Sequence, residues 1–327
     1  MDFASSDELP RWGQLPTEQY LIRHWDPSSP ESADQQRARL IKEFLRLDPI
    51  PRDIWFTEYE TAPADGGPRI PTEEEIANIL RPWRSDLMRY RAWKLWQKGH
   101  DKENPVIIRT YYDPDDDERV ESWANLSEEY EDVSHWSILD DPELFNFEGS
   151  DWRQVFYILP ELSKLADGYA RHRNWALHNE HQANFKKELN EVKRKYPTRW
   201  RSDLNLLVTE NVETRPLLHY NSTTQVLIAD KEAFQTDQFL LVLLDAKQNI
   251  TMQARIDISE ERLTLCSLDW FRRYTPTEMD EPGTIGEAFF VDGEPGKELY
   301  QWTKQYLEDD PISDVSGVTN DVSRSDV

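Results

Sequence analysis

Apolar residues recur at helical spacing over much of the first hundred positions. Two capping-box pairs, Ser32 with Gln35 and Thr72 with Glu75, each precede such a pattern. A further helix is predicted over residues 85–99, where apolar and aromatic residues recur before a glycine. This part of the chain is therefore predicted to be mainly helical.

Residues 1–30 lack any clear hydrophobic period. They mix proline, tryptophan and aspartate, and they contain the aromatic residues Trp12, Tyr20 and Trp25. We expect an extended arm here, anchored by its aromatic side chains.

The pattern changes to short β-branched and apolar runs after residue 105. The apolar run 239–244 is typical of a strand buried on both faces, and the alternating run 252–258 is typical of an edge strand. Further strands are predicted at 106–112, 136–139, 205–208 and 225–229. Strands that alternate with helices predict an α/β fold with a mainly parallel sheet flanked by helices.

The same patterns predict how the chain is organised. A mostly helical N-terminal region is expected over 1–100, followed by an α/β domain over 101–290. The longest helical pattern, 161–196, predicts a helical insertion of the domain at about 161–203. Residues 313–327 are polar and acidic and are predicted to form a disordered tail.

Composition narrows the classes of partner. The formal net charge is −25, which disfavours nucleic acid and anionic membranes and favours solubility and basic partners. There is one cysteine, Cys266, so no intramolecular disulfide can form. Neither a secretory h-region nor a membrane-spanning apolar run is present, so a cytoplasmic or nuclear protein is expected, not a secreted one.

Several short motifs at the predicted strand ends resemble a family of uncharacterised bacterial and fungal domains. The resemblance covers about 105–275, and residues from about 161 to 220 would be an insertion relative to the compact form. It implies one α/β domain and supplies no activity. The motifs that carry it are Ile107-Ile108-Arg109-Thr110, Asp115-Asp116-Asp117 with Trp123, Asp140-Asp141-Pro142, Ile158-Leu159-Pro160, Val226 to Asp230, Leu240 to Asp245, Arg255, and Leu265 to Trp270.

Acidic residues follow several predicted strands. The candidates are Asp140, Asp141, Asp230 and Asp245. In open parallel sheets, ligands bind beyond the carboxyl ends of the strands, and converging carboxylates there can hold Mg²⁺ or Mn²⁺. Aspartate is also common in turns after strands and at helix N-caps, so a structural role is the alternative.

Histidines provide a second candidate metal site. His178 and His181 share a helix face at i, i+3 spacing, and two imidazoles with a third ligand can bind Zn²⁺ or Cu²⁺. They do not form the His-Glu-x-x-His motif of zinc proteases. A solvated helix face is the alternative.

A basic segment interrupts this acidic chain. It can bind an acidic partner, bind nucleic acid, or pair with the chain's own acids. The segment comprises Lys186, Lys187, Lys193, Arg194, Lys195, Arg199, Trp200 and Arg201. Trp93 and Trp96 share a helix face and are candidates for a partner surface, with core packing as the alternative.

No glycine-rich phosphate loop, nucleophile elbow or Cys-x-x-Cys motif is present in this tryptophan-rich chain. The sequence therefore favours a non-catalytic, protein-binding or regulatory module with a protein partner and no predicted cofactor. The alternative is a divalent-metal-dependent enzyme that uses the strand-end acids with Mg²⁺ or Mn²⁺.

Overall fold

The structure, a computed structural model, describes a large part of the chain. The predicted strand at 205–208, the predicted tail at 313–327 and much of the predicted helical insertion lie outside the described residues. The described residues are 9–47, 69–97, 106–125, 138–147, 151–163, 187, 190–192, 194–199, 224–244 and 247–259.

The described residues of the N-terminal region are mainly helical. It contains α1 (Pro16–His24), α2 (Ala33–Arg46), α3 (Glu73–Glu75) and α4 (Asp86–Gln97). A π-helical turn over Ile76–Leu80 continues α3. Among the described residues, no helix is both long enough and apolar enough to cross a membrane.

Both predicted capping boxes are present. The Ser32 hydroxyl accepts a hydrogen bond from Gln35 N, and Ser32 N donates to Gln35 Oε1 at 3.0 Å. At the start of α3, Thr72 N donates to Glu75 Oε2 at 2.9 Å, and Glu75 N donates to the Thr72 hydroxyl. Each box satisfies two backbone donors that a helix start would otherwise leave unpaired.

The expected extended arm at residues 1–30 is wrong, because α1 lies within it. Pro16 occupies the first turn, where its missing N–H costs nothing, and Leu21 is fully buried. The polar residues Thr17, Glu18 and Gln19 are also buried. A helix that buries polar side chains shows no amphipathic pattern, which is why the period was missing.

The strands among the described residues form one five-stranded sheet in the order β2-β1-β3-β4-β5. Parallel pairing joins β1 to β2 and β3, whereas β4 is antiparallel to both β3 and β5. The strands are β1 (Val106–Arg109), β2 (Ile138–Leu139), β3 (Thr224–Ala229), β4 (Gln238–Leu244) and β5 (Ile250–Asp257).

Short helices connect these strands. They are α5 (Asp117–Asn125), α6 (Pro142–Phe145), α7 (Val155–Ile158) and α8 (Lys231–Thr236). Turns of 3-10 helix occur at Pro114–Asp116, Trp152–Gln154 and Pro160–Leu162. Residues 187, 190–192, 194 and 195 are also helical.

The fold is α/β with a mixed sheet, so the mainly parallel sheet that we expected is found only in the β2-β1-β3 half. The reason lies in the connections. A parallel crossover needs about a dozen residues or more, and only the short segment 230–237 separates β3 from β4. The edge position predicted for the alternating run 252–258 is confirmed, because β5 ends the sheet.

Alternate residues of the central strands face opposite layers, as strand geometry requires. Ile108 and Val226 belong to the main core, which also contains Leu21, Phe44 and Met88 from the N-terminal helices. A second core on the other face of the sheet contains Val120, Trp123, Leu227, Phe234 and Phe239. The N-terminal helices thus cover one face, and α5 with α8 covers the other.

Two buried ion pairs connect α1 with α4, and the residues just before α4 with the turn Pro160–Leu162. Arg89 Nε lies 2.7 Å from Glu18 Oε1, and Arg84 Nη1 lies 2.7 Å from Glu161 Oε2. Arg84 Nη2 lies 4.0 Å from the same oxygen of Glu18, which links the two pairs. All four side chains are almost fully buried. We call these four residues the buried charge network.

Glu18→Ala is expected to lower the free energy of unfolding by about 3–5 kcal/mol, because Arg89 would remain buried without its partner. The control is Glu43→Ala, which removes an exposed carboxylate paired with the exposed Arg39 and should cost only about 0.2–1 kcal/mol. Urea denaturation measures both. Equal losses for the two variants would contradict a special role of the buried charge network.

Gly13→Ala is expected to destabilise the protein for two separable reasons. Gly13 has φ +78°, which costs an L residue about 1–2 kcal/mol, and a Cβ there would lie 2.6 Å from Pro71 Cδ. Pro71→Ala removes the Cδ atom, so the double variant should recover the part of the loss that comes from the clash. A double-mutant cycle from urea denaturation measures this coupling, and additive losses would contradict the contact.

Candidate functional site

The three parallel strands end at a common edge of the sheet. Ile108 pairs with Leu139, and Arg109 pairs with Ala229, so Asp140 and Asp230 follow the paired residues directly. In open α/β sheets this edge is where ligands bind. We call it the strand-end site.

Arg109 occupies the centre of the strand-end site, and its guanidinium has several partners. Nη2 lies 2.8 Å from Asp117 Oδ1, and Nη1 lies 3.5 Å from Asp140 Oδ1. Nε donates to the carbonyl oxygen of Tyr111, and Nη2 also donates to that of Asp113. Arg109 is buried and internally paired, which indicates a structural role in holding the strand ends together.

Tyr112 joins the end of β1 to the end of β2. Its hydroxyl donates to the carbonyl oxygen of Arg109 at 3.1 Å and accepts from Asp141 N at 2.9 Å. Burial raises the pKa of Tyr112, so the hydroxyl keeps the proton that it donates. The guanidinium of Arg109 lies 4.5 Å from the centre of the Tyr112 ring, a cation–π distance.

The other strand-end acids cap helices or pair with an arginine. Asp141 Oδ1 accepts from Glu143 N at the start of α6. Asp230 caps α8 by accepting from Ala233 N, and its two oxygens accept from Arg255 at 2.8 and 2.6 Å. These contacts correspond to the alternative interpretation of the strand-end acids, in which they stabilise the fold and do not bind a metal ion.

Among the described strand-end acids, Asp140 and Asp230 follow strands that are not adjacent in the sheet. β1 lies between Asp140 and Asp230, so two inter-strand spacings, about 10 Å, separate their strands. The described residues contain no group of three or more His, Cys, Asp or Glu side chains that could hold a metal ion. Asp245, His178 and His181 lie outside the described residues, so the predicted metal sites stay predictions.

Addition of Mg²⁺ or Mn²⁺ is expected to leave the Tm unchanged relative to NaCl of equal ionic strength. The reason is that an ion at the strand-end site would have to displace Arg109 from Asp140 and Arg255 from Asp230. Thermal unfolding with EDTA and with each ion measures this, since an ion at 100 times its Kd would add about 2.7 kcal/mol. A rise that Asp230→Asn abolishes would instead establish the metal site.

Part of the basic segment is described, and it is exposed. Lys187, Arg194 and Lys195 are exposed, and Arg199 is half-buried. Val192 is buried. The side chains of Lys186, Lys193, Trp200 and Arg201 lie outside the described residues.

The predicted pair of tryptophans is half-buried. Trp93 and Trp96 on α4 have ring centroids 5.0 Å apart, and both pack against the main core. Much of each ring therefore contributes to packing, which was the alternative to a partner surface.

Sequence reasoning also did not single out Arg91 on α4, which interacts electrostatically with Asp141 and Asp140. Arg91 is 6% exposed, and its Nη1 atom has no hydrogen-bond partner among the described residues. Burial lowers the pKa of Arg91, and the charges of Asp141 and Asp140 oppose this effect. A cation on a helix is ordinarily exposed, so no sequence signal distinguishes this one.

No family model, curated protein or solved structure matches this chain. The resemblance of residues 105–275 to uncharacterised bacterial and fungal domains therefore stays a prediction.

Proposed function

We propose that this protein is a non-catalytic binding module that recognises an acidic surface of a partner protein through a basic helix. The basic helix consists of the helical residues 187, 190–192, 194 and 195. The observation that carries the proposal is the concentration of exposed cations there, in a segment with seven basic and two acidic residues over 186–201.

Helix geometry places two of these cations side by side. Lys187 and Arg194 are seven residues apart, close to two full turns, so they project from the same face. Val192 lies on another face and is 5% exposed. Glu191, four residues after Lys187, lies on the same face, so this face carries two exposed cations and one exposed acid and is net positive.

Ion pairs with the described acids do not neutralise the two cations of this face. Among the described residues, neither Lys187 nor Arg194 forms an ion pair, although the chain has 63 acidic and 38 basic residues. At physiological salt the Debye length is about 8 Å, so local charge dominates over the distant acids that give the net charge of −25. A local cationic face can therefore attract a carboxylate-rich partner.

The strand-end site supports a binding role over metal catalysis. Its carboxylates Asp140 and Asp230 pair with Arg109 and Arg255, and Asp141 caps α6. Charged groups that neutralise one another in this way hold the fold together, whereas a catalytic carboxylate must be able to reach a substrate or an ion.

Reversing the charge of the basic helix is expected to abolish partner retention. Tagged protein would be used to capture partners from native lysate at about 50 mM salt, where charge interactions extend beyond 10 Å. The test variant carries three reversals in the basic helix and should retain roughly tenfold less partner, which corresponds to about 1.4 kcal/mol. Its substitutions are Lys187→Glu, Arg194→Glu and Lys195→Glu.

A matched control carries three reversals at exposed cations elsewhere and has the same net charge. Its substitutions are Lys42→Glu, Arg46→Glu and Lys231→Glu. The control should retain the partner as the native chain does. Equal loss of the partner from both variants would show that the effect comes from net charge alone. Loss of the captured material after nuclease treatment would indicate that the partner is a nucleic acid.

A further inference from the structure

Arg91 differs from the other buried arginines of the described chain. Arg37 is equally buried, and its guanidinium donates to the carbonyl oxygens of Ile79 and Asn78 and to Asp34. Arg84, Arg89 and Arg109 each form an ion pair with a carboxylate. The guanidinium of Arg91 forms neither a hydrogen bond nor an ion pair with the described residues, and its Nη1 atom is fully buried.

A buried N–H donor without a partner is costly, because the protein interior does not replace the water that solvated it. Such a group persists in a stable protein when something else depends on it, and binding sites are where this occurs. Arg91 therefore requires an explanation that its contacts within the fold do not provide.

Its surroundings place Arg91 near the strand-end site. The groups that act on it electrostatically are Asp141, Asp140 and Tyr112, which lie where β1 and β2 end. The carboxylates are engaged elsewhere, since Asp140 faces Arg109 at 3.5 Å and the Oδ1 atom of Asp141 caps α6. They offset part of the charge of Arg91 without satisfying its donors.

We propose that Arg91 is the recognition group of a site for a small oxyanion, a carboxylate or phosphate group, where β1 and β2 end. A guanidinium presents paired N–H donors that match the two oxygens of such a group. The carboxyl edge of a parallel sheet is the usual ligand position in open α/β folds. Nearby Asp140 and Asp141 favour a singly charged group or one that carries its own hydrogen-bond donor, since further negative charge would be repelled.

This site goes beyond the proposed partner binding and does not depend on it. Arg91 lies on α4, whereas the basic helix consists of the helical residues 187, 190–192, 194 and 195, and the two ligands differ in size and chemistry. Either one can fail its test while the other succeeds.

Whether Arg91→Met raises or lowers the Tm tests whether Arg91 stabilises the fold. In buffer without phosphate or carboxylate, Arg91→Met should leave the Tm unchanged or raise it by about 2–4 °C, because an unpartnered buried charge is removed. Arg37→Met is the control, and it should lower the Tm because Asp34 and two carbonyl oxygens lose their donor.

Anion binding tests whether Arg91 serves a ligand. Inorganic phosphate or acetate, each compared with NaCl of equal ionic strength, should raise the Tm of the native chain and of Arg37→Met but not that of Arg91→Met. A response to phosphate alone assigns the ligand group as phosphate, and a response to acetate alone assigns it as carboxylate. Arg91→Lys keeps the charge but loses the paired donors, and it should weaken the binding at least tenfold.

Two results would overturn the proposal. One is a fall in Tm for Arg91→Met as large as that for Arg37→Met, or a failure of Arg91→Met to fold, since either shows that Arg91 supports the structure. The other is an absence of any Tm response of the native chain to both anions up to concentrations at which they act only as salt.

Discussion

The buried charge network is the constraint on which the arrangement of this fold depends. Glu18, Arg84, Arg89 and Glu161 come from three distant parts of the chain, and each is almost fully buried. Hydrophobic replacements of all four could stabilise the fold equally well, but none of them can be buried without its partner. Burial of these charges therefore requires that α1, α4 with the residues just before it, and the turn Pro160–Leu162 lie together in the folded chain.

The same network orients α4, and through it the strand-end site. Arg89 and Arg91 are two residues apart, about 200° around the helix, so they point to nearly opposite sides. Arg89 is held by Glu18 and by the carbonyl oxygen of Pro10, whereas Arg91, on the other side of α4, interacts electrostatically with Asp141 and Asp140, where β1 and β2 end. A pairing that serves stability thus determines where an unpaired cation lies.

Local signals explain which elements could be predicted. The capping boxes at Ser32 and Thr72 depend on residues three positions apart, and the buried strand β4 is one continuous apolar run, so both are readable from sequence. The helix α1 was missed because Thr17, Glu18 and Gln19 are polar, and only their distant partners make their burial favourable. Sheet direction was missed because it depends on connection length more than on the strands themselves.

For the strand-end site, too, some features could be predicted from the sequence and others could not. Its acids were predicted from their positions after strands, and their register places Asp140 and Asp230 at one edge. Their partners Arg109 and Arg255 are far away in sequence, so no local pattern showed that these carboxylates would be paired. For Arg91, in contrast, it is the lack of a partner that no local pattern showed.

Arg91 is sequence-typical for an exposed helix position, and only its burial makes it exceptional. In a chain with 63 acidic residues, a buried arginine could readily have obtained a carboxylate partner, as Arg37, Arg84, Arg89 and Arg109 did. The lack of a carboxylate partner for Arg91 among the described residues is therefore not caused by a shortage of acidic residues. It is a property of this position, and a ligand that brings its own oxyanion would explain why the position is retained.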